Sequence, residues 1–520
     1  MLTALMLTMA VQATGASDAV HVTLPDSKAA LLAGGPTGGR MILFLIEDGA
    51  LDGSAPIEAP FFSAPQPMMS VSVDALVPGK PVVIDDGAVS FPGALSSLEG
   101  RFRVQALFDR SRTERGHLVP GNLVTSQGVL DLRADRVDRL ELDLTEALLP
   151  EPRADLPNLR WFEVKSQVLT GPTGEPVTLR AGVALPPGWE DPNHRRRMFP
   201  AVYVIPGFGG RWTGADTFAR MLATPGSDAL VAQAAWIVLD PECPLGHHGF
   251  VDSAANGPWA RALVTELIPA LERQFRLIRR PEARLLTGHS SGGWSALWLQ
   301  LTHPETFGGC FASAPDPVDF AHFQTGDIYR DVSIFVNAEG RDRPSYRVPV
   351  APGIDRTRMT VRQEVGMERV LGPRRDSGEQ WDAWSAMWSA VDPATRLPRP
   401  LFDAETGIID REVATAQWSR FDIARLVRAD PARFVPILRT RVRLLCGERD
   451  GFFLERAVRS LGQAVDAAVA ARAASIDPPF PAGPGYITVV PGETHDTMAT
   501  NALLRWHPEM RKHLAEHGLD

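Results

Sequence analysis

The sequence Gly288-His289-Ser290-Ser291-Gly292 is the feature that most restricts how this chain can fold. A short apolar run typical of a strand precedes it at residues 283–287, and a run typical of a helix follows at residues 294–299. Glycines on both sides of a serine allow a strand to turn sharply into a helix, because no side chain obstructs the turn. The motif therefore predicts a strand–turn–helix unit that presents the Ser290 hydroxyl above the edge of a sheet.

The pattern around this motif predicts an α/β domain over residues 158–520. Residues 259–275 show the periodicity of an amphipathic helix. Apolar runs of strand length precede and follow this helix, at residues 177–185, 201–205, 236–240, 442–446 and 486–490. Strands that alternate with helices indicate a mostly parallel sheet flanked by helices.

The strand–helix pattern is interrupted over about 316–440, which predicts a large helical insertion. The insertion contains four of the 12 tryptophans, namely Trp381, Trp384, Trp388 and Trp418. Because aromatic faces suit sugars and apolar rings, the segment is a candidate lid or substrate wall. A helical insertion that packs only against itself remains the alternative.

Residues 17–150 are predicted to form a separate β-sandwich domain with an accessory role. Apolar residues alternate with polar ones in two runs, at residues 101–108 and 139–144, as in strands with one buried face. Several such runs separated by Pro/Gly turns indicate an antiparallel sandwich. A stretch rich in Pro and Asp at residues 149–157 predicts the linker to the second domain.

Residues 1–16 resemble a secretory signal peptide, with an apolar run at residues 2–11 and small residues at 14–16. No Lys or Arg precedes Lys28, so the usual positive segment is missing. We expect a periplasmic or secreted protein, with a cytoplasmic one as the alternative.

Composition excludes several classes of function. A net charge of -9 argues against a nucleic-acid-binding protein. No apolar run reaches the roughly 18–20 residues of a membrane-spanning helix, so no integral membrane protein is expected. Three cysteines are too few for a disulfide framework, and their spacing matches no zinc site.

A serine hydroxyl becomes a good nucleophile only with a base and an acid that orients the base. In an α/β-hydrolase sheet the chain order is serine, acid, histidine. His495 follows the last predicted strand and is the preferred base. The other downstream histidines lie too near the nucleophile, precede the acid or fall in the C-terminal helix; they are His303, His322, His507, His513 and His517.

Asp450 is the preferred acid, because it follows the predicted strand at residues 442–446. Glu448, in the same loop, is the first alternative. Asp316 and Asp319, which follow the preceding strand, remain open as well.

An oxyanion requires two backbone N–H donors. Ser291, next to the nucleophile, should supply one. The other should come from the Gly-rich loop after residues 201–205, where Phe208 is the candidate and Gly209 the next choice. A phosphate-binding loop is disfavoured because no G-K-[ST] follows.

With these residues in place, the chain from about 160 to 510 resembles the putative esterase family of α/β-hydrolases. The resemblance is carried by the motif at Ser290 and by the segments 204–210, 252–259, 266–269, 303–309 and 447–452. It implies an α/β-hydrolase fold, a triad of Ser290, Asp450 and His495, and no cofactor. The family often has His-Gly where this chain has Pro206-Gly207, and the insertion before Asp450 is unusually long.

Substrate contacts are predicted on two segments. The loop after residues 236–240 contributes His247, His248 and Asp252, with Trp259 just beyond it, and the insertion contributes Trp381 and Trp384. A metal at His247 and His248 is disfavoured because no third ligand is convincing. We expect a small-molecule or carbohydrate ester as substrate. A peptide or amide hydrolase, or a non-catalytic binding protein with this fold, remains the alternative; the oligomeric state is not predicted.

Overall fold

The structure is a computed structural model that describes residues 19–50, 54–58, 65–111, 113–132, 139–171, 174–226, 233–351, 353–475 and 477–519. The chain forms two compact units. The first comprises most of the chain up to Pro150, and the second runs from Glu151 onward and also includes Arg112–Gly116. The predicted signal segment, residues 1–16, lies outside the described residues.

The first unit is built from strands. In the described residues these are β1 Ala19–Thr23, β2 Gly39–Glu47, β3 Met68–Val73, β4 Val82–Ile84, β5 Val89–Phe91, β6 Gly100–Asp109, β7 Leu123–Thr125, β8 Gly128–Leu132 and β9 Arg139–Ala147. They are connected in the order β4-β1-β9-β7-β6-β2-β3-β5, with β8 beside β6. The neighbours pair antiparallel except for β1 and β9, which are parallel.

The alternation of apolar and polar residues along β6 identifies the face of this strand that lies in the core of the unit. Phe102, Val104, Ala106 and Phe108 on β6 all have buried side chains that belong to one hydrophobic cluster. Gln105, on the opposite face of β6, is also buried, and its Nε2 donates to the Thr125 carbonyl at 2.8 Å.

The second unit is organised by a mostly parallel sheet, as predicted. Its strands lie in the order β10-β11-β13-β12-β18-β19-β22-β23. Only β10/β11 and β11/β13 pair antiparallel, and the remaining neighbours are parallel. These strands are β10 Leu159–Thr170, β11 Pro176–Ala184, β12 Ala201–Ile205, β13 Ala235–Leu239, β18 Arg284–His289, β19 Gly309–Ser313, β22 Val442–Arg449 and β23 Tyr486–Thr494.

Short strands and helices connect these strands. Three hairpins are formed by β14 Glu242–Cys243 with β15 Gly246–His247, β16 Asp252–Ser253 with β17 Gly257–Pro258, and β20 Pro344–Ala351 with β21 Ile354–Thr360. The helices are α1 Ala215–Ala223, α2 Trp259–Ala262, α3 Ile268–Phe275, α4 Ser291–Thr302, α5 Val361–Leu371, α6 Gln380–Trp388, α7 Ile423–Ala429, α8 Pro431–Arg441, α9 Glu455–Ala473 and α10 His495–Glu516. No helix in the described residues is long and apolar enough to cross a membrane.

The segment between β19 and β22 contains a β-hairpin as well as helices α5 to α8. Its tryptophans pack tightly on aromatic rings at the start of the segment: Trp388 lies 4.9 Å from Phe320, and Trp384 lies 4.9 Å from Phe323, between ring centroids. Trp418 in turn lies 4.9 Å from Trp388. This aromatic cluster is part of a hydrophobic cluster that also includes residues of the sheet and of α4, where Trp294 lies 5.2 Å from Trp388, so the insertion does not pack only against itself.

Two local features differ from the sequence prediction. The edge strand β10 was not predicted, because Glu163, Lys165 and Gln167 interrupt its apolar residues. His495 was expected in a loop after the last strand. Instead β23 extends to Thr494, and His495 is the first residue of α10, where Thr494 caps the helix by accepting from the Thr497 N–H.

Candidate active site

The turn between β18 and α4 holds Ser290 in a strained backbone conformation, with φ 57° and ψ -130°. The flanking glycines permit this turn because there is no room for a side chain. A Cβ on Gly288 would lie 2.2 Å from the Gly292 carbonyl oxygen, and one on Gly292 would lie 2.0 Å from the Ile205 oxygen. Strained residues of this kind are characteristic of functional sites.

His495 and Asp450 form a direct hydrogen bond. The His495 Nδ1 and the Asp450 Oδ2 are 2.7 Å apart, and both side chains are buried. The other oxygen of Asp450 accepts from the backbone N–H groups of Phe452 at 2.8 Å and Leu454 at 3.4 Å. The turn after β22 thus fixes the carboxylate, which in turn fixes the imidazole with its Nε2 free to act as an acceptor.

The two groups shift each other's pKa. Burial would raise the pKa of Asp450, but the charge and hydrogen bond of His495 outweigh it and hold that pKa below its usual value. Burial alone would lower the pKa of His495, but the charge and hydrogen bond of Asp450 have the larger effect and raise that pKa. Asp450 therefore stays ionised and stabilises the protonated imidazole. His289, with its ring centroid 4.4 Å from that of His495, has a pKa lowered to about 3 by burial and by the His495 charge.

The Gly-rich loop after β12 passes directly beside Ser290. A Cβ on Gly207 would lie 3.2 Å from the Ser290 Cβ. Gly209 adopts the left-handed conformation, with φ 79°, that glycine tolerates best. The loop is held from behind by His247, whose Nε2 donates to the Pro206 carbonyl at 3.0 Å.

Ser290 and His495 open into a cavity of about 360 Å³. One wall comes from loops at the edge of the sheet and the other from the insertion. The lining residues are Gly207, Phe208, His289, Ser290, Asp316, Gln324, Glu364, Gln380, Trp384, Phe452, Leu454, His495, Asp496 and Ala499. The candidate nucleophile, base and oxyanion-loop residue Phe208 are thus brought together, with Asp450 directly behind the base. Ser291, the first residue of α4, donates its hydroxyl to Asp316 Oδ2 at 2.8 Å.

Of the six residues predicted to contact the substrate, one lies among the described residues that line the cavity. Trp381 and Trp384 are both buried in the aromatic cluster, 4.9 Å apart between ring centroids, and of the two Trp384 lines the cavity. His248 is buried, stacks on Trp259 at 3.6 Å between centroids, and has both ring nitrogens within 3.2 Å of backbone groups. Asp252 is exposed and accepts from the Arg261 N–H. None of Asp252, Trp259, Trp381 or the two histidines is among the described cavity-lining residues.

The three carboxylates considered as alternatives to Asp450 have other hydrogen-bond partners. Glu448 is half exposed and accepts from the Gly492 N–H. Asp319 accepts from Ser460 at 2.6 Å and pairs with Arg428 at 2.7 Å. Asp316 lines the cavity, where one of its oxygens accepts from Ser291 and from the Trp384 Nε1.

Sequence reasoning missed Arg115, which the structure places against the oxyanion loop. Its guanidinium lies 4.3 Å from the centroid of the Phe208 ring. It also pairs with Glu242 at 2.5 Å and with Glu379, in the insertion, at 3.3 Å. A single arginine in a turn-rich stretch carries no sequence signal of this role.

No group of three or more His, Cys, Asp or Glu residues in the described part of the chain is arranged to hold a metal ion. The three cysteines are buried and free.

Comparison with known proteins assigns the family. A family model described as "Putative esterase" matches residues 176–464, which is more than half of the chain. Among solved structures, a ferulic acid esterase is 14% identical with a TM-score of 0.40, covering 68% of this chain and 97% of its own. An S-formylglutathione hydrolase from Agrobacterium tumefaciens is 17% identical with a TM-score of 0.36, covering 71% and 99%. A ferulic acid esterase from Anaeromyces mucronatus, solved with ferulic acid, is 14% identical with a TM-score of 0.33, covering 70% and 94%.

These likenesses to solved structures are weak, and the assignment rests on the family model. The chain belongs to the putative esterase family of ester-hydrolysing enzymes.

Proposed function

We propose that this chain hydrolyses carboxylic esters through an acyl-enzyme intermediate on Ser290, with His495 as the base and Asp450 as the orienting acid. The observation that carries the proposal is the 2.7 Å hydrogen bond between His495 Nδ1 and Asp450 Oδ2, beside a cavity that Ser290 also lines. The strained turn at Ser290 and its order in the chain before Asp450 and His495 agree with this assignment.

In the first half-reaction, His495 Nε2 takes the hydroxyl proton as Ser290 Oγ attacks the acyl carbon. The electron pair of the carbonyl moves to its oxygen, which the N–H groups of Phe208 and Ser291 stabilise. The intermediate then collapses, the bond to the alcohol oxygen breaks, and His495 returns the proton to the departing alcohol.

In the second half-reaction, water takes the place of the alcohol. His495 removes a proton from the water, which attacks the acyl carbon of the ester on Ser290. Collapse of this second intermediate releases the carboxylic acid and restores the Ser290 hydroxyl with the proton from His495. Asp450 remains ionised throughout and stabilises the imidazolium in both half-reactions.

The test is the replacement Ser290→Ala in purified protein. We expect kcat/KM for a 4-nitrophenyl ester to fall by about 10⁴-fold or more, because the residual rate comes from binding and the oxyanion hole alone. Ser295→Ala is the matched control, since Ser295 lies one turn later in α4 and donates only to the Ser291 carbonyl. Turnover that survives Ser290→Ala, or that is lost equally in the control, would contradict the proposed role.

We also propose that the chain is exported to the periplasm or outside the cell, and that the first unit is a β-sandwich. The apolar run at residues 2–11 and the small residues at 14–16 support export. The antiparallel pairing of most strands supports the sandwich. Expression in a bacterium with two membranes, followed by fractionation and mass measurement of the mature chain, tests export. An intact N-terminus in the cytoplasmic fraction would contradict it.

A further inference from the structure

The cavity contains two buried carboxylates, Asp316 and Glu364, that the proposed mechanism does not use. Asp316 and Glu364 are 3% and 1% exposed. Oδ2 of Asp316 accepts from Ser291 and Trp384, and Oε2 of Glu364 accepts from Ser345. An ionised carboxylate can accept about four hydrogen bonds, so both groups can accept more.

Several other buried carboxylates in this unit form ion pairs with arginine, although Asp422 and Glu368 accept only uncharged donors among the described residues. Glu272 pairs with Arg284 at 2.7 Å, and Asp382 pairs with Arg375 at 2.6 Å. In contrast, no lysine or arginine is among the described residues that line the cavity. Burial accordingly raises the pKa of Glu364 to about 7 and that of Asp316 to about 6. The cavity wall therefore lacks the counter-cation that Glu272 and Asp382 possess.

Gln324 adds a buried acceptor of a different kind to the cavity wall. Its side chain lines the cavity and is 3% exposed, yet its Oε1 has no hydrogen-bond partner. Its backbone is held at φ 53° in a tight turn, where Phe323 and Gly326 exchange hydrogen bonds of 2.8 and 2.9 Å. A buried amide oxygen without a partner is unfavourable, and a donor on the ligand would satisfy it.

We propose that this cavity recognises esters that carry an aliphatic ammonium group, bound by Glu364, Asp316 and the Gln324 side-chain oxygen. An ammonium offers three donors and one positive charge, which matches a wall of acceptors without a cation. The rings of Trp384 and Phe452 also line the cavity, and aromatic faces attract ammonium groups. Asp496, exposed in the cavity wall, adds to the negative potential.

The inference rests on the proposed function, and three matched esters separate the two. These are the 4-nitrophenyl esters of 4-(aminomethyl)benzoate, 4-ethylbenzoate and 4-(hydroxymethyl)benzoate, which place an ammonium, a methyl and a hydroxyl group at the same position. Assays at pH 8 keep the ammonium protonated and Glu364 ionised. We expect kcat/KM for the ammonium ester to exceed that for the ethyl ester by at least about 10-fold.

Substitution of Glu364 tests whether this carboxylate causes the preference for the ammonium ester. We expect Glu364→Gln to reduce the ratio of the ammonium to the ethyl ester by about 10-fold. Glu339→Gln is the matched control, because Glu339 lies in the same insertion, is 63% exposed and undergoes the same loss of charge. The control should keep the wild-type ratio.

The outcomes are distinguishable. An ammonium-to-ethyl ratio near one in the wild-type protein, or a preference for the hydroxymethyl ester, would overturn the inference and leave the proposed function standing. No turnover of any of the three esters would overturn both. If the Glu364→Gln variant does not fold, the ratio of kcat/KM for the ammonium ester to that for the ethyl ester in the wild-type protein still tests the inference.

Discussion

The two walls of the cavity differ in how they are built. The wall at the edge of the sheet consists of residues fixed by backbone geometry, including the turn at Ser290 and the loop at Gly207, where added side chains would collide with main chain. The opposite wall comes from the insertion and consists of side chains, including Gln324, Glu364 and Trp384. The sheet wall supplies the proposed chemistry, whereas the insertion wall supplies the proposed selectivity. Changes to the two walls should therefore affect different kinetic constants.

The largest effect is expected from Asp450→Asn on the sheet wall. Asparagine keeps the shape of the side chain but favours the wrong imidazole tautomer, so kcat/KM should fall by about 10⁴-fold. Glu448→Gln, two residues earlier, is the control and should change kcat/KM by less than about 2-fold, since Glu448 is half exposed. Steady-state kinetics with a neutral ester measure both. If kcat/KM fell more in the Glu448 variant than in the Asp450 variant, Asp450 would not be the orienting acid.

The pH dependence of the wild-type enzyme should show the next largest effect. The neutral imidazole of His495 is the active base, and Asp450 raises its pKa, so the inactive protonated form persists to higher pH than usual. For a neutral ester, kcat/KM should fall about 10-fold per pH unit below this pKa and be constant above it. A profile whose midpoint lies well below pH 6.5 would contradict the pairing seen between His495 and Asp450.

Arg115 connects the two walls, and its removal should have an intermediate effect. Arg115→Met removes the charge that pairs with Glu242 and Glu379, and it loosens Phe208. We expect a loss of about 3 kcal/mol in the free energy of unfolding and a fall of about 10-fold in kcat with a smaller change in KM. The readouts are thermal unfolding and steady-state kinetics.

The matched control for Arg115 is Arg211→Met, because Arg211 is more exposed and pairs with Glu114 at 3.2 Å. This control should alter neither kcat nor stability strongly. If Arg115→Met lowered stability but left kcat unchanged, Arg115 would be a structural residue and not a positioning residue for the oxyanion loop.

The smallest effect is expected from Trp384→Phe on the insertion wall. This change keeps an aromatic ring in the cavity, but it removes the Nε1 donor to Asp316 and makes the ring smaller. We expect KM for aromatic esters to rise about 3-fold while kcat is retained, because the donor does not act on the reacting atoms. A fall in kcat as large as that of Arg115→Met would mean that the two walls are not separable in this way.

The difference between the sheet wall and the insertion wall explains which parts of the site could be predicted from the sequence. Ser290, Asp450 and His495 follow strands in a fixed order, and strand ends meet at one edge of a parallel sheet, so their proximity could be predicted. The glycines of the motif could be predicted because close backbone contacts admit no side chain. Among these three residues, His495 differed in its local structure, because Thr494 caps a helix where a loop was expected.

The sequence identified the insertion as a candidate lid or substrate wall and named Trp384, which lines the cavity. The other contacts of this wall could not be predicted, because they join residues far apart in the sequence without a periodic pattern. Trp384 reaches Asp316 across 68 positions, and Arg115 reaches Glu379 across 264. His247 and His248 looked like substrate contacts because they follow a strand end, yet both bind backbone carbonyls of neighbouring loops. Burial and hydrogen-bond partners, which decide such roles, are properties of the folded chain.

The most direct test of the proposed chemistry is to label the purified protein with a fluorophosphonate and to identify the modified residue by peptide mass spectrometry. An activated serine next to a base reacts with this probe, whereas an ordinary serine does not. We predict one adduct per chain, on Ser290, and none in Ser290→Ala or in protein whose His495 is replaced by alanine. An adduct on Ser291 or elsewhere, or no adduct in a folded wild-type protein, would contradict the assignment of Ser290 as the nucleophile.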